Sequence, residues 1–269
     1  MKNGTVKMEI ILNLDITSRL PSKCSKIYAM EIQIAVAKTN KYASSESGDT
    51  LEVVERPNGG MSVVLSDGQT SGRGAKTVST MVVRKVISLL AEGVRDGAAA
   101  RAASDYLFTE RNGKVSACLN IISADFQSGT LVLTRNNPAP VFIAQTGDIQ
   151  CLSGESIPIG TSRNIRPAIT EFQLIIGTTI VVYTDGLVHA GDRYGQFLDI
   201  CTHLEALLEE QNPTSQLIAD SLLFEAIRID QGRPNDDMSV VVLRVVSGMD
   251  DQIRRMYVRL PVPRTAPFS

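Results

Sequence analysis

Residues 63–76 read VVLSDGQTSGRGAK. An apolar, β-branched run ends in Asp67. A loop of glycine and small polar residues follows, and a helical pattern begins at Gly74. An ionised carboxylate at the tip of a buried strand is costly unless it is paired or bound to a metal. The same context recurs along the chain. Asp49 follows Gly48 and precedes LEVVE, Asp185 ends TTIVVYTD and precedes Gly186, and Asp236 precedes MSVVVLRVV by one residue.

Outward from that stretch, residues 32–38 read as a strand. LEVVERP and MSVVLSD read as two strands joined at Pro57-Asn58-Gly59-Gly60, a hairpin signal. From Gly74 to about Arg95, Ala75, Val78, Val82, Val86, Leu89 and Leu90 recur at helical spacing. They predict an amphipathic helix broken by Gly97, with a second helix running to Arg111. After Val115 the period falls to two. KVSACLNIISADF, GTLVLTRN, PVFIAQ and DIQCL read as an antiparallel meander, and ITEFQL and TTIVVYTD add two strands. Residues 192–211 and 214–230 read as a second helix pair, split at Asn212-Pro213, and MSVVVLRVV closes the core.

Strands this numerous and alternating exclude a doubly wound parallel sheet. The order predicts an α+β fold, a four-layer αββα sandwich of two antiparallel sheets flanked by helix pairs. One domain is expected over residues 1–247, with its core from about residue 30. Residues 248–269 read either as an edge strand or as a loose tail.

The 269 residues carry a formal net charge of −2, so the basic footprint of a nucleic-acid binder is missing. No apolar run approaches the ~20 residues of a membrane-spanning helix. Cys24, Cys118, Cys151 and Cys201 are scattered singly. They fit neither a zinc cluster nor a disulfide framework and read as reduced, buried thiols of a cytoplasmic protein.

An aspartate at a strand end is ordinarily a turn former. Asp67, Asp185 and Asp236 together point further. If these strand ends converge, like charges meet and cannot all ionise without compensation. A hard divalent cation compensates most directly, and oxygen-only ligands select magnesium or manganese over zinc. Competing chemistries lack their residues. No cysteine has arginine at the offset of a cysteine-phosphatase loop. Two histidines leave no room for a serine triad argument, and GQTSGRGAK does not supply a P-loop.

GD, SDGxxxGxxA, YTDGL and NDDMSVVVLR, in that order, resemble the PPM family of metal-dependent serine/threonine protein phosphatases. The likeness is to its SpoIIE/RsbU/RsbX branch and, within that, to the compact RsbX type. TRNNPAPVFI and IPIG resemble further turns of the branch. The resemblance implies two Mn2+ or Mg2+ ions. Asp67 would bridge them and the Gly68 carbonyl would bind one. Asp49 would complete the second ion's shell, directly or through water, and Asp185 and Asp236 would hold the first ion. Asp67, Asp185 and Asp236 would thereby carry catalysis, while Asp237 would support the loop. A departure is Thr70, where the branch has glycine; threonine strains that loop if φ is positive there.

The implied partner is a phosphorylated STAS-domain regulator, with oligomeric state open. A phosphatase-like binder without turnover and an esterase for small phosphates are the alternatives. His189 and Arg73 are candidates for the leaving oxygen and the substrate phosphate, against plain surface roles. His203 has no assigned role.

Overall fold

The computed structural model describes residues 30–57, 59–69, 71–209, 213–248 and 253–261. Predicted features at Cys24, Asn58, Thr70 and Asn212, among them the strain expected at Thr70, lie outside the described residues.

The strands are β1 (Met30–Thr39), β2 (Asp49–Glu55), β3 (Gly60–Gly68), β4 (Ala117–Asp125), β5 (Thr130–Asn136), β6 (Val141–Gln145), β7 (Asp148–Leu152), β8 (Ala168–Gln173), β9 (Thr179–Tyr183) and β10 (Met238–Ser247). The helices are α1 (Gly72–Ala91), α2 (Asp96–Arg111), α3 (Asp185–Val188), α4 (Ile200–Glu209) and α5 (Ser215–Ile229). Two five-stranded sheets form, ordered β1-β10-β9-β6-β7 and β2-β3-β4-β5-β8, and their pairings are antiparallel.

Period-two alternation builds the layers. On β10, Val241, Leu243 and Val245 join Val63, Leu65, Ile122 and Ile180 between the sheets. The alternate residues Val240 and Val242 turn outward to Leu222 and Ala226 of α5. On the other sheet Val64, Leu119 and Ile121 turn outward to Val82, Val86 and Leu107 of α1 and α2. Three apolar interfaces therefore separate four layers, the αββα sandwich expected from the sequence. Residues 30–247 form one compact unit.

Four local readings are corrected. Gly97 does not break the first helix. It lies inside α2, and the chain leaves α1 at Gly93, whose φ of 85° an L side chain resists. The four strands after Val115 are not a meander. β4–β5 and β6–β7 are hairpins in different sheets. Residues 136–140, Asn-Asn-Pro-Ala-Pro, carry the chain across, and Arg135 at their start donates to the Leu152 carbonyl of the second sheet at 2.8 Å. The third long helix begins at Ile200, not Asp192, because only a 3-10 turn spans Asp192–Tyr194 before left-handed Gly195 interrupts it. Cys151 is exposed and Cys118 and Cys201 are partly buried, so the expectation of buried thiols fails for these three. Edge-strand pairing by the C-terminal segment is not seen over residues 253–261, which have no regular structure.

Truncating Leu243, fully buried between the sheets, should cost about 2–5 kcal/mol as Leu243→Ala in urea unfolding followed by circular dichroism. Ile157→Ala, at a side chain 63% exposed, should stay within about 0.5 kcal/mol.

Candidate metal centre

β2 and β3 pair in a register that sets Asp49 directly opposite Asp67. On the facing sheet, β9 delivers Tyr183-Thr184 to Asp185, which opens α3 rather than ending the strand. The turn before β10 delivers Asp236 and Asp237. Asp67, Gly68, Asp185 and Asp236 line one open cavity of ≈ 420 Å3, together with Lys41, Gln69, Ser71, Ser116 and Cys118. Asp49 stands behind this cavity, 1% exposed. Five of the residues singled out from sequence are therefore gathered at one edge, four around the cavity and one beneath it.

Their electrostatics follow from crowding. The Asp67 carboxyl is pushed up to about 9, chiefly by burial, then by the charges of Asp49 and Asp185, by a hydrogen bond with Asp185, and by Asp236. Burial also raises Asp49, against the hydroxyls of Ser239 and Thr184 and the charge of Lys38. It raises Asp236 as well. Cys118, beside Asp67 on β4, is pushed up to about 12 by burial and the same carboxylates, which keeps it a thiol. That thiol is no nucleophile at neutral pH.

Asp49 shows what the site is built to hold. Its Oδ2 accepts from Ser239 Oγ at 2.6 Å and Thr184 Oγ1 at 3.1 Å. Its Oδ1 is buried without a partner, a costly condition for a carboxylate oxygen. Lys38 and Lys76 both donate to its backbone carbonyl, at 2.7 and 2.8 Å. An orphaned buried oxygen beside a second carboxylate that retains its proton fits a hard divalent cation, and the donors are oxygens throughout. Among the described residues no three acid, histidine or cysteine side chains form a ready-made cage. Magnesium keeps several waters and takes only one or two carboxylates, so a loose acidic cluster suits it better than a closed cage would.

Two glycines let α1 close on this edge. A Cβ on Gly68 would sit 2.2 Å from the Ala75 carbonyl, and one on Gly48 would sit 2.8 Å from Ala75 Cβ. Ser79 of α1 donates to the Gly48 carbonyl and shares a 2.7 Å hydrogen bond with Thr50. The first turns of α1 thus brace both strand ends.

Sequence reading missed the bracing residues. Lys38, Lys76 and Ser239 lie on β1, α1 and β10, whose apolar pattern dominates, and Thr184 directly follows β9, though Thr184 and Ser239 lie within the motifs YTDG and DDMS. Asn137 was also missed. Its Nδ2 donates to the Tyr183 carbonyl at 3.3 Å, steadying the strand that presents Asp185. Of the residues considered for substrate contact, Arg73 is 96% exposed and 4.0 Å from Glu46. His189 is 61% exposed and bound to Asp192 at 3.0 Å. Neither lines the cavity. His203 bonds Ser221 between α4 and α5.

The family model for stage II sporulation protein E (SpoIIE) matches residues 57–246. Stage II sporulation protein E of Priestia megaterium is 23% identical over 222 residues, covering 82% of this chain and 37% of that protein. The chain spans well under half the length of the curated relatives it matches. The PP2C phosphatase domain of SpoIIE from Bacillus subtilis, solved with a fragment of its regulatory domain, superposes with a TM-score of 0.68 at 22% identity, covering 80% of this chain and 63% of that one. The catalytic domain of the serine/threonine phosphatase PstP, solved with two manganese ions, gives 0.61 at 18% identity, covering 81% of this chain and 100% of that one.

An unfolded aspartate loses its proton near pH 4, whereas Asp67 in the folded, metal-free protein holds it to about 9. Between those values the folded state binds more protons than the unfolded one, so its stability falls as pH rises. Asp67→Asn should flatten that slope, to which the raised Asp49 and Asp236 also contribute, and make the metal-free protein more stable than wild type at pH 8, as urea midpoints across pH 5–9 will show. Gly68→Ala should cost about 1–3 kcal/mol through the clash with Ala75 and weaken Mn2+ binding in calorimetry. Gly154→Ala, with open space around its Cβ position, should do neither.

Proposed function

The chain belongs to the SpoIIE family, and on that premise we propose that it is a metal-dependent phosphatase acting on phosphoserine or phosphothreonine in a protein. The observation that carries the reading is the convergence of Asp67, Gly68, Asp185 and Asp236 on one cavity, with the unpartnered oxygen of Asp49 beneath it. In this reading Asp67 would serve both of two Mn2+ or Mg2+ ions, Asp185 and Asp236 would hold the first, Asp49 would complete the shell of the second, and the Gly68 carbonyl would bind one of them. Such a pair, when bound, acidifies water and neutralises charge on a phosphoryl group undergoing in-line displacement.

The chain's own residues orient and insulate. Thr184 and Ser239 fix one oxygen of Asp49, so only the other is free to turn toward an ion. Lys38 and Lys76 hold the strand carrying it. Cys118 stays protonated and leaves the displacement to water, consistent with a reaction that forms no covalent enzyme intermediate.

We assign the substrate to the STAS-domain regulators of sigma-factor or stress signalling and the protein to the cytoplasm, beside RsbX in its branch. The motifs YTDGL and NDDMSVVV support the branch, the open cavity suits a side chain offered by a folded partner, and the free thiols suit a reducing compartment. No helix among the described residues is long and apolar enough to cross a membrane.

Purified protein should release phosphate from a phosphoserine-bearing STAS domain only with Mn2+ or Mg2+ present. Asp67→Asn, Asp185→Asn and Asp236→Asn should each reduce release to background while circular dichroism shows the fold intact. Binding of the phosphorylated domain without release would leave a binder in place of an enzyme. Turnover of p-nitrophenyl phosphate but of no phosphoprotein would assign it to small esters.

A further inference from the structure

We propose that Lys41 is the residue that grips the substrate's phosphoryl group in the acidic cavity, an assignment that rests on the phosphatase reading above. The cavity wall carries Asp67, Asp185 and Asp236, and among the described residues Lys41 is the one cationic side chain lining it. Three lysines approach this edge of the sandwich, and two are committed. Lys38 and Lys76 both point at the Asp49 carbonyl from behind the carboxylates. The Lys41 ammonium enters none of the ion pairs formed among the described residues.

The backbone beneath Lys41 is fixed from three directions. Its amide donates to Asp237 Oδ1 at 2.9 Å, and its carbonyl accepts from the Ser44 amide at 2.9 Å. The next amide, of Tyr42, donates to the Pro234 carbonyl at 2.9 Å. Gly48, at the far end of the same loop, donates to Asp237 Oδ2 at 2.7 Å. One buried carboxylate thus ties both ends of the loop to the turn that carries Asp236. The side chain leaves an anchored Cα and lines the cavity outside any ion pair among the described residues. That is the arrangement a phosphate dianion needs from the protein, a compact point charge with three donors held where the ester's oxygens arrive. Arg73 and His189, the other cationic candidates at this end, do not line the cavity.

Lys41→Met and Lys41→Arg change the side chain and leave the anchoring amide in place. With Mn2+ and a phosphoserine peptide, Lys41→Met should raise KM and the inhibition constant of inorganic phosphate about tenfold or more, the scale of one lost charged hydrogen bond. The Mn2+ affinity measured by calorimetry should stay at the wild-type value, and Lys41→Arg should recover part of the loss. Wild-type phosphate inhibition in Lys41→Met, or a loss that follows weakened Mn2+ binding, would overturn the assignment. If the wild-type protein itself releases no phosphate, the phosphatase reading fails separately. Titration of the Mn2+-loaded protein with inorganic phosphate then decides Lys41 alone, with weaker binding by Lys41→Met expected and equal binding refuting it.

Discussion

Two carboxylates opposed across a β ladder set the terms for this end of the molecule. Asp49 and Asp67 are register partners on β2 and β3, and like charges directly opposite on neighbouring strands destabilise a sheet. Asp185 and Asp236 add to the same field from the second sheet. Much of the surrounding structure compensates. Two lysines neutralise from behind, two hydroxyls take one oxygen of Asp49, and Asp67 shares a hydrogen bond with Asp185. What remains uncompensated is one buried oxygen and a protonated acid, which is the demand a divalent cation meets.

The sandwich can carry this burden because strain and stability are kept apart. Three apolar layers run through the body of the fold, while the acids sit at one rim where strands end. The link between rim and core is α1. Its buried face of Val78, Val82, Val86 and Leu90 packs on the β2–β4 sheet, and its first turns press Ala75 onto Gly48 and Gly68 and place Lys76 and Ser79 on the flanking backbone. Movement of α1 by even part of an ångström would be felt at both strand ends, since packed interfaces do not deform continuously.

The architecture was legible because alternation is a local signal. Val240 to Val245 announce a strand with two apolar faces, and only a layer on each side can bury both. Which strands pair is not local, and so the β4–β7 run read as a meander although its two hairpins belong to different sheets. The helix predicted from Asp192 failed for a related reason. Residues 192–211 read as one helix, but Gly195 takes a left-handed conformation after a single 3-10 turn and separates Asp192–Tyr194 from α4. At the site, carboxylates at strand ends were visible as a pattern, whereas Lys38, Lys41 and Lys76 look like any surface lysine until the end of β1 with its following loop and the first turns of α1 come together.

Asp236 and Asp237 show how finely burial divides labour that sequence leaves merged. Adjacent in NDDMS, they are chemically equivalent as text. Asp237 is 5% exposed, gives its two oxygens to the amides of Lys41 and Gly48, does not line the cavity, and holds the 40–48 loop. Asp236 is half-buried, receives only the amide of Asp237, and lines the cavity. The turn before β10 gives the two side chains different partners, and that placement, rather than the acidity both share, makes one a candidate ligand and the other a brace. The same brace fixes the backbone of Lys41, so the acid that cannot touch the phosphate sets the position of the base that can.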